Sequence, residues 1–432
     1  MHTSRMTTTW RARLAGALVL MLLSPALVWA QEGFEALPVL KATDLAPAVL
    51  LKGPRFRVDE KTPVKGLLGV FTIRSDFGTF EAHGVEMLRI RVVEVAALDA
   101  LENTSKTNEF VKAAGTAAAR PIKAGAHMIM NPKETAQGIG TGVSRFYDRA
   151  KMGWQHVTEG ASAPDKSDVE KAEDVSKRVG SVTIDVLGWE EERRAVAKRL
   201  GVDPYTTNPV LAEKLSDFAW VTFSGRIGLN LAVSVVVPFS MVLTATSVTN
   251  DMVWDLKPAD VLKANAGKLT AMGGSDAQVT ALLKNPWYSL TTLTWLTNGL
   301  EALQGAAGRP DVVAFAASAR SEDEARFIAS AINMIAAAHP KTPVRALSTH
   351  GTVVARIGGG GVVVTGQVDY IAWTKNAAAF ANRPDLKAST RSLVMTGRLS
   401  PRAVKELAAL HWTVKTVPLI TPPAVTLPTT SR

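Results

Sequence analysis

The run LSTHGT brings Ser348, Thr349 and His350 together, and Asp369 follows downstream. A hydroxyl, an imidazole and a carboxylate are the parts of an activated nucleophile: the base takes the hydroxyl proton and the acid orients the base. If folding gathered Ser348, His350 and Asp369 around a cleft, the chemistry would be hydrolysis. Isolated residues of these types occur in most proteins, so this set is the rival reading. Beyond residue 30 the histidines are His83, His127, His156, His339, His350 and His411, and no two have the spacing of metal ligands on a helix. H-E-x-x-H and G-x-S-x-G are both missing, so no metal and no cofactor is expected. The chain has no cysteine, which excludes disulfides, Fe–S clusters and thiol catalysis. DPYTTN, residues 203–208, gathers oxygen ligands but lacks the acids of a calcium loop, and it reads as a turn leading into a helix cap.

A second stretch, NPKETAQGIGTGVSRF from Asn131 to Phe146, carries glycines at 138, 140 and 142. A dinucleotide loop runs strand, G-x-G-x-x-G, helix, with free N–H groups facing the phosphate. Here the order is reversed. Asn131 is a good N-cap, Pro132 suits the first turn, and Glu134 stands three residues after the cap, so the helix begins before the glycines. If it continues, Gly138 and Gly142 share a face and let another backbone come close. If it stops at Gly138, the remainder is a flexible loop. Arg145, Phe146 and Tyr147 add an aromatic and basic mixture suited to a membrane interface. Gly138, Gly142, Arg145, Phe146 and Tyr147 thus form a candidate close-approach or membrane-contact face. The other glycine run, RIGGGGVVVTG, lies between two strand patterns and reads as a hairpin turn or bulge.

The elements that must carry these residues point to an α+β fold: an N-terminal hairpin plus helices, a mainly helical middle segment, and a small C-terminal α/β unit. GLLGVFTIRSDFGTFEAH is a hairpin around Ser75-Asp76-Phe77-Gly78. Leu88, Val92, Val95, Leu98 and Leu101 recur at helical spacing over 85–101, with Glu86, Arg89 and Asp99 largely off that stripe. A second helix is expected over 108–119. Asn208 should cap a helix opened by Pro209, with the same device at Asn285-Pro286, and Ser275 with Gln278 makes a capping box. Val312–Ala316 reads as a strand, followed by a helix capped by Ser321. Strands at 353–357 and 362–364, a helix over 370–380, and a strand, helix, strand series capped at Ser400 complete the α/β unit. Boundaries fall at 31–159, 160–180 (a charged linker), 181–307, 308–418 (expected to fold on its own) and 419–432 (a proline-rich tail).

Residues 1–30 carry Arg5, Arg11 and Arg13, an apolar run and Val28-Trp29-Ala30, the order of a signal peptide. Its removal takes three charges from the net +10 and leaves +7, mildly basic and scattered. No Lys/Arg block interleaves with aromatics, so nucleic acid is not an expected partner. Residues 227–250 contain no charge, and their Asn230, Pro238 and β-branched content fits a buried core element better than a membrane span. The segments HMIMNPKETAQGIGTGVSRFYDRA and GVDPYTTNPVLAEKL resemble stretches of exported bacterial proteins that have no assigned activity. The likeness covers a minor part of the chain and implies an envelope location, with no site to transfer. The leading expectation is an exported periplasmic or cell-envelope protein that binds or scaffolds, with the membrane surface or another envelope protein as partner. A periplasmic hydrolase built on Ser348, His350 and Asp369 is the alternative.

Overall fold

The computed structural model describes residues 33–116, 188–225 and 252–419. The leader 1–30, the face of Gly138, Gly142, Arg145, Phe146 and Tyr147, the stretch 160–180, the run 227–250 and the tail beyond 419 lie outside the described residues. Within them the architecture is α+β, with an N-terminal antiparallel sheet, a helical middle and a C-terminal mixed sheet.

The first sheet contains β1 (Val39–Lys41), β2 (Lys52–Gly53), β3 (Phe56–Val58), β4 (Lys61–Lys65), β5 (Leu68–Ser75) and β6 (Gly78–His83). The expected hairpin joins β5 to β6. Ser75 Oγ accepts from Phe77 N at 3.1 Å and donates to Gly78 O at 2.8 Å, while Gly78 takes φ 121°, a conformation open to glycine. Strand alternation puts Phe71 and Ile73 inward against Leu50, Met87 and Leu88. The chain then enters α1 (Gly84–Ser105), which packs on β5 and β6, and α2 (Asn108–Thr116).

The middle segment comprises α3 (188–200), α4 (Pro209–Gly225), α5 (Pro258–Ala271), α6 (Asp276–Leu283) and α7 (Leu290–Ala302). Asn208 Oδ1 accepts from Val210 N and Leu211 N, and Ser275 with Gln278 forms the reciprocal box. Asn285 departs from expectation. Its Oδ1 closes a turn onto Trp287 N, its amide donates to Ala317 O and Ala319 O, and Ser289 caps α7 instead.

Val312–Ala316 is a helix, α8 (Arg309–Ala317), and not a strand. Gly308, at φ 80°, turns the chain into it, Pro310 occupies the first turn, and Val312, Val313 and Ala316 are buried. A short apolar run fits a buried helix as well as a buried strand, so periodicity alone misassigns it. α9 (Glu322–Ala338) follows, with Ser321 Oγ accepting from Glu324 N.

The C-terminal sheet has the order β13-β11-β9-β8-β7, with β7 (Val344–Thr349), β8 (Val353–Ile357), β9 (Gly361–Gly366), β11 (Arg391–Met395) and β13 (Trp412–Thr416). The pairs β7–β8 and β8–β9 are antiparallel, and β9, β11 and β13 are mutually parallel. The glycine run is the β8–β9 turn, where Gly359 and Gly360 take φ 70° and 74°. Val353, Ala355 and Val363 face the α9 side, whereas Val354, Val362 and Val364 face α10 (Lys375–Ala381) and α11 (Pro401–Ala409). The helix expected over 370–380 starts only at Lys375, capped by Thr374. Before it, β10 (Tyr370–Ile371) pairs with β12 (Arg398–Leu399). One continuous core joins α5, α6 and α7 through α8 and α9 to β7 and β8, so it crosses residue 308.

Candidate functional site

Open parallel sheets leave a crevice beyond the carboxyl ends of their strands, where the connections part. Beyond β9 the chain runs through Gln367, Val368 and Asp369, and there a crevice of ≈ 380 Å³, part of it open solvent, is lined by His83, Glu86, Asp323, Arg326, Gln367 and Asp369. Three parts of the chain converge. The N-terminal hairpin and α1 supply His83 and Glu86, the first turns of α9 supply Asp323 and Arg326, and the β9–β10 link supplies Gln367 and Asp369.

Asp369 is the latch between the two ends of the molecule. Its Oδ2 accepts from Gly69 N at 2.8 Å and its Oδ1 from Val85 N at 3.1 Å, while its own N–H donates to Leu67 O at 2.9 Å. Burial raises its pKa to about 6, against the two backbone N–H groups that favour the charged form, and the Glu86 carboxylate adds to the rise. Glu86 Oε1 accepts from Arg326 Nη2 at 2.5 Å. Burial pushes Glu86 up although Arg326 opposes it, and the Glu86 and Glu322 carboxylates hold Arg326 above its usual value in spite of its own burial. His83 donates to Asp323 Oδ2 and to Glu81 Oε1, both at 2.6 Å, and chiefly the Asp323 bond raises it to about 9. It is therefore an imidazolium at neutral pH, a fixed cation and not a base poised near pH 7.

A second polar hub lies deeper, at Asp203–Asn208. Glu94, 1 % exposed, accepts at Oε2 from Arg91 Nη1 at 2.7 Å and from Asn208 Nδ2 at 3.0 Å, and at Oε1 from the Thr206 hydroxyl. Arg91 Nη2 donates to Thr207 Oγ1, whose hydroxyl donates to Glu322 Oε1 on α9. Asp203 Oδ1 accepts from Tyr205 N and from Thr291 Oγ1 on α7, and burial raises its pKa. The loop does end in a helix cap, but Thr206 and Thr207 also tie it to α1 and α9, and Asp203 ties it to α7.

Ser348, His350 and Asp369 each have separate surroundings. Ser348 sits in β7, and its Oγ is buried without a hydrogen bond. His350 is 60 % exposed, with Nδ1 3.8 Å from Asp385 Oδ2, and Arg383 holds that carboxylate at 2.6 and 3.0 Å. Asp369 is committed to Gly69 N and Val85 N. No hydrogen bond links the three, so the orienting acid and the base of the hydrolase reading do not meet. Among the described residues no His, Cys, Asp and Glu group is arranged to hold a metal ion.

Sequence reading missed Glu86, Arg91 and Glu94, because charged residues on a long helix ordinarily mark its solvated face. The available signal was that polar and apolar residues are not segregated along α1, the pattern of a helix covered on several sides. No protein-family model matches the chain, and neither a curated protein nor a solved structure does.

Proposed function

We propose that this chain is an exported cell-envelope protein that works by binding or scaffolding and not by catalysis. One observation carries the reading: the charged groups lining the crevice are spent on holding the protein's own parts together. His83 serves Asp323 and Glu81, Arg326 serves Glu86, and Asp369 serves two backbone N–H groups. A catalytic base needs a lone pair aimed at substrate, and the groups of this junction are turned toward one another. The envelope part rests on the order of charge, apolar run and small residues in 1–30.

Cell fractionation followed by a carbonate wash, with intact-mass measurement of the recovered protein, tests it. The expected result is a chain lacking residues 1–30 in the periplasmic or washed-off envelope fraction. Full-length protein in the cytosol overturns the location. Ester or amide hydrolysis by purified protein that disappears in Ser348→Ala overturns the non-catalytic part.

A further inference from the structure

Four of the exposed large apolar side chains in the described residues, Phe34, Leu37, Val39 and Leu67, belong to the N-terminal segment, β1 and the β4–β5 turn. β1 is an edge strand, antiparallel to β4, with Val39 opposite Pro63 and Lys41 opposite Lys61. The Val64 N to Pro38 O bond continues this ladder, bringing Leu37 beside Lys65 and toward Leu67. Along β4 burial alternates, with Lys61, Pro63 and Lys65 exposed and Thr62 and Val64 buried. One outer face therefore carries Leu37, Val39 and Pro63 together with Lys41, Lys61 and Lys65, and Leu67 is exposed in the turn that follows β4.

The charges on this face are nearly all of one sign. Lys41 reaches Glu60 at 3.6 Å with both side chains largely exposed, Asp44 accepts from Lys41 N, and Asp59 is bound bidentately by Arg74, while Lys61 and Lys65 form no ion pair among the described residues. Two lysines directly opposite on antiparallel strands repel each other, a cost that a facing anionic surface relieves. Val39, opposite Pro63, is 64 % exposed in the next pair along this face, flanked by the Lys41–Lys61 pair on one side and Lys65 on the other. Lysine stems lie along apolar surface while their ammonium groups reach outward, the arrangement that suits the headgroup boundary of a bilayer.

We propose that the outer face of β1 and β4 docks on an anionic lipid surface, with Lys41, Lys61 and Lys65 against headgroup phosphates and Leu37, Val39 and Leu67 entering the acyl boundary. The inference rests on the envelope reading above, but its test is separate. Purified mature protein is sedimented with vesicles of phosphatidylcholine alone and with vesicles containing phosphatidylglycerol, at low and high salt. Binding is expected only with phosphatidylglycerol, and it should weaken with salt.

The double variant Lys61→Gln, Lys65→Gln should lose roughly five-fold in partitioning per lysine removed. Leu37→Ser with Val39→Ser should remove the binding that survives salt. Lys263→Gln with Lys284→Gln, exposed in the helical segment, should change nothing, and all variants should keep the wild-type unfolding temperature. Equal binding by the β4 double variant and wild type overturns the proposal. So does absence of binding to phosphatidylglycerol vesicles, in which case the lysines serve to keep the β1 edge from pairing with other chains. Binding to native envelope vesicles but to no pure lipid also overturns it, in favour of a protein partner. In each of these outcomes export, read by fractionation, stands or falls independently.

Discussion

Asp369 and His83 are single residues whose ionisation reports on how the N-terminal hairpin is fastened, by Asp369 to the link after β9 and by His83 to α9. For Asp369 the folded pKa of about 6 lies above the ordinary carboxylate value, so between roughly pH 4 and 6 the folded chain binds more protons than the unfolded one. Stability from this residue therefore falls as pH rises through that window, by about 2–3 kcal/mol in all. His83 is raised as well, to about 9, mainly by its bond to Asp323. Its contribution is whole below the unfolded imidazole value near pH 6.5 and is lost as pH climbs through 9. Chemical denaturation from pH 4 to 10 should show both slopes with the same sign. Asp369→Asn should flatten the acid one and His83→Gln the alkaline one. An acid slope unchanged in Asp369→Asn would show that the carboxylate is not buried at this junction.

At the scale of elements, α1 is the beam to which the rest is bolted, and Glu94 is the bolt that takes most partners. Glu94→Ala would leave Arg91, Thr206 and Asn208 without their acceptor in a buried site, and breaking a buried pair this way typically costs ~3–5 kcal/mol. Glu94→Gln keeps one acceptor and the shape and should cost clearly less. Asn208→Ala removes the cap of α4 as well as a bond to Glu94, so a loss above the ~1 kcal/mol of an ordinary cap is expected. Urea midpoints of the three variants check the ranking, and a Glu94→Ala loss within ~0.5 kcal/mol of zero, the range of ordinary surface changes, would mean the hub is not formed. The caps at Asn208, Ser275, Ser321 and Ser400 were legible in the sequence, as was the Ser75–Gly78 hairpin. Each is a contact between residues two to four apart, written in local chemistry. The hub was not legible, since Glu94 meets Thr206 across 112 residues and Glu86 meets Arg326 across 240. Pairings that distant leave no spacing to read. The Ser348, His350 and Asp369 set shows the converse: nearness in sequence placed Ser348 and His350 two residues apart, yet no hydrogen bond joins them, Ser348 Oγ lying buried without a partner and His350 beside Asp385.

At the scale of the whole molecule the described chain is closed on itself. Glu35 N donates to Trp373 O at 2.9 Å, Trp373 N returns a bond to Glu35 Oε2 at 2.6 Å, and Leu67 O accepts from Asp369 N and Tyr370 N. The C-terminal sheet is also the floor of the helical core. Leu269, Leu282, Leu293, Leu296 and Leu300 from α5, α6 and α7 pack with Val312, Ile328, Ile332, Ile335, Val344 and Leu347 beyond residue 308. Cutting at 308 strips five buried leucines from that core, and at ~1.5–3 kcal/mol each the loss is on the order of 10 kcal/mol, comparable with the net stability of an ordinary domain. A fragment 308–418 should therefore lack a near-ultraviolet circular dichroism signal, bind a hydrophobic dye and unfold without a cooperative transition. A fragment 252–419 keeps those leucines, and it should unfold cooperatively at a lower midpoint than the full chain, because the latch at Asp369 is then missing. Cooperative unfolding of 308–418 would instead support the boundary that the change from helices to alternating strands and capped helices suggested. It would also mean that the helices of the middle segment rest on the sheet without sharing in its stability.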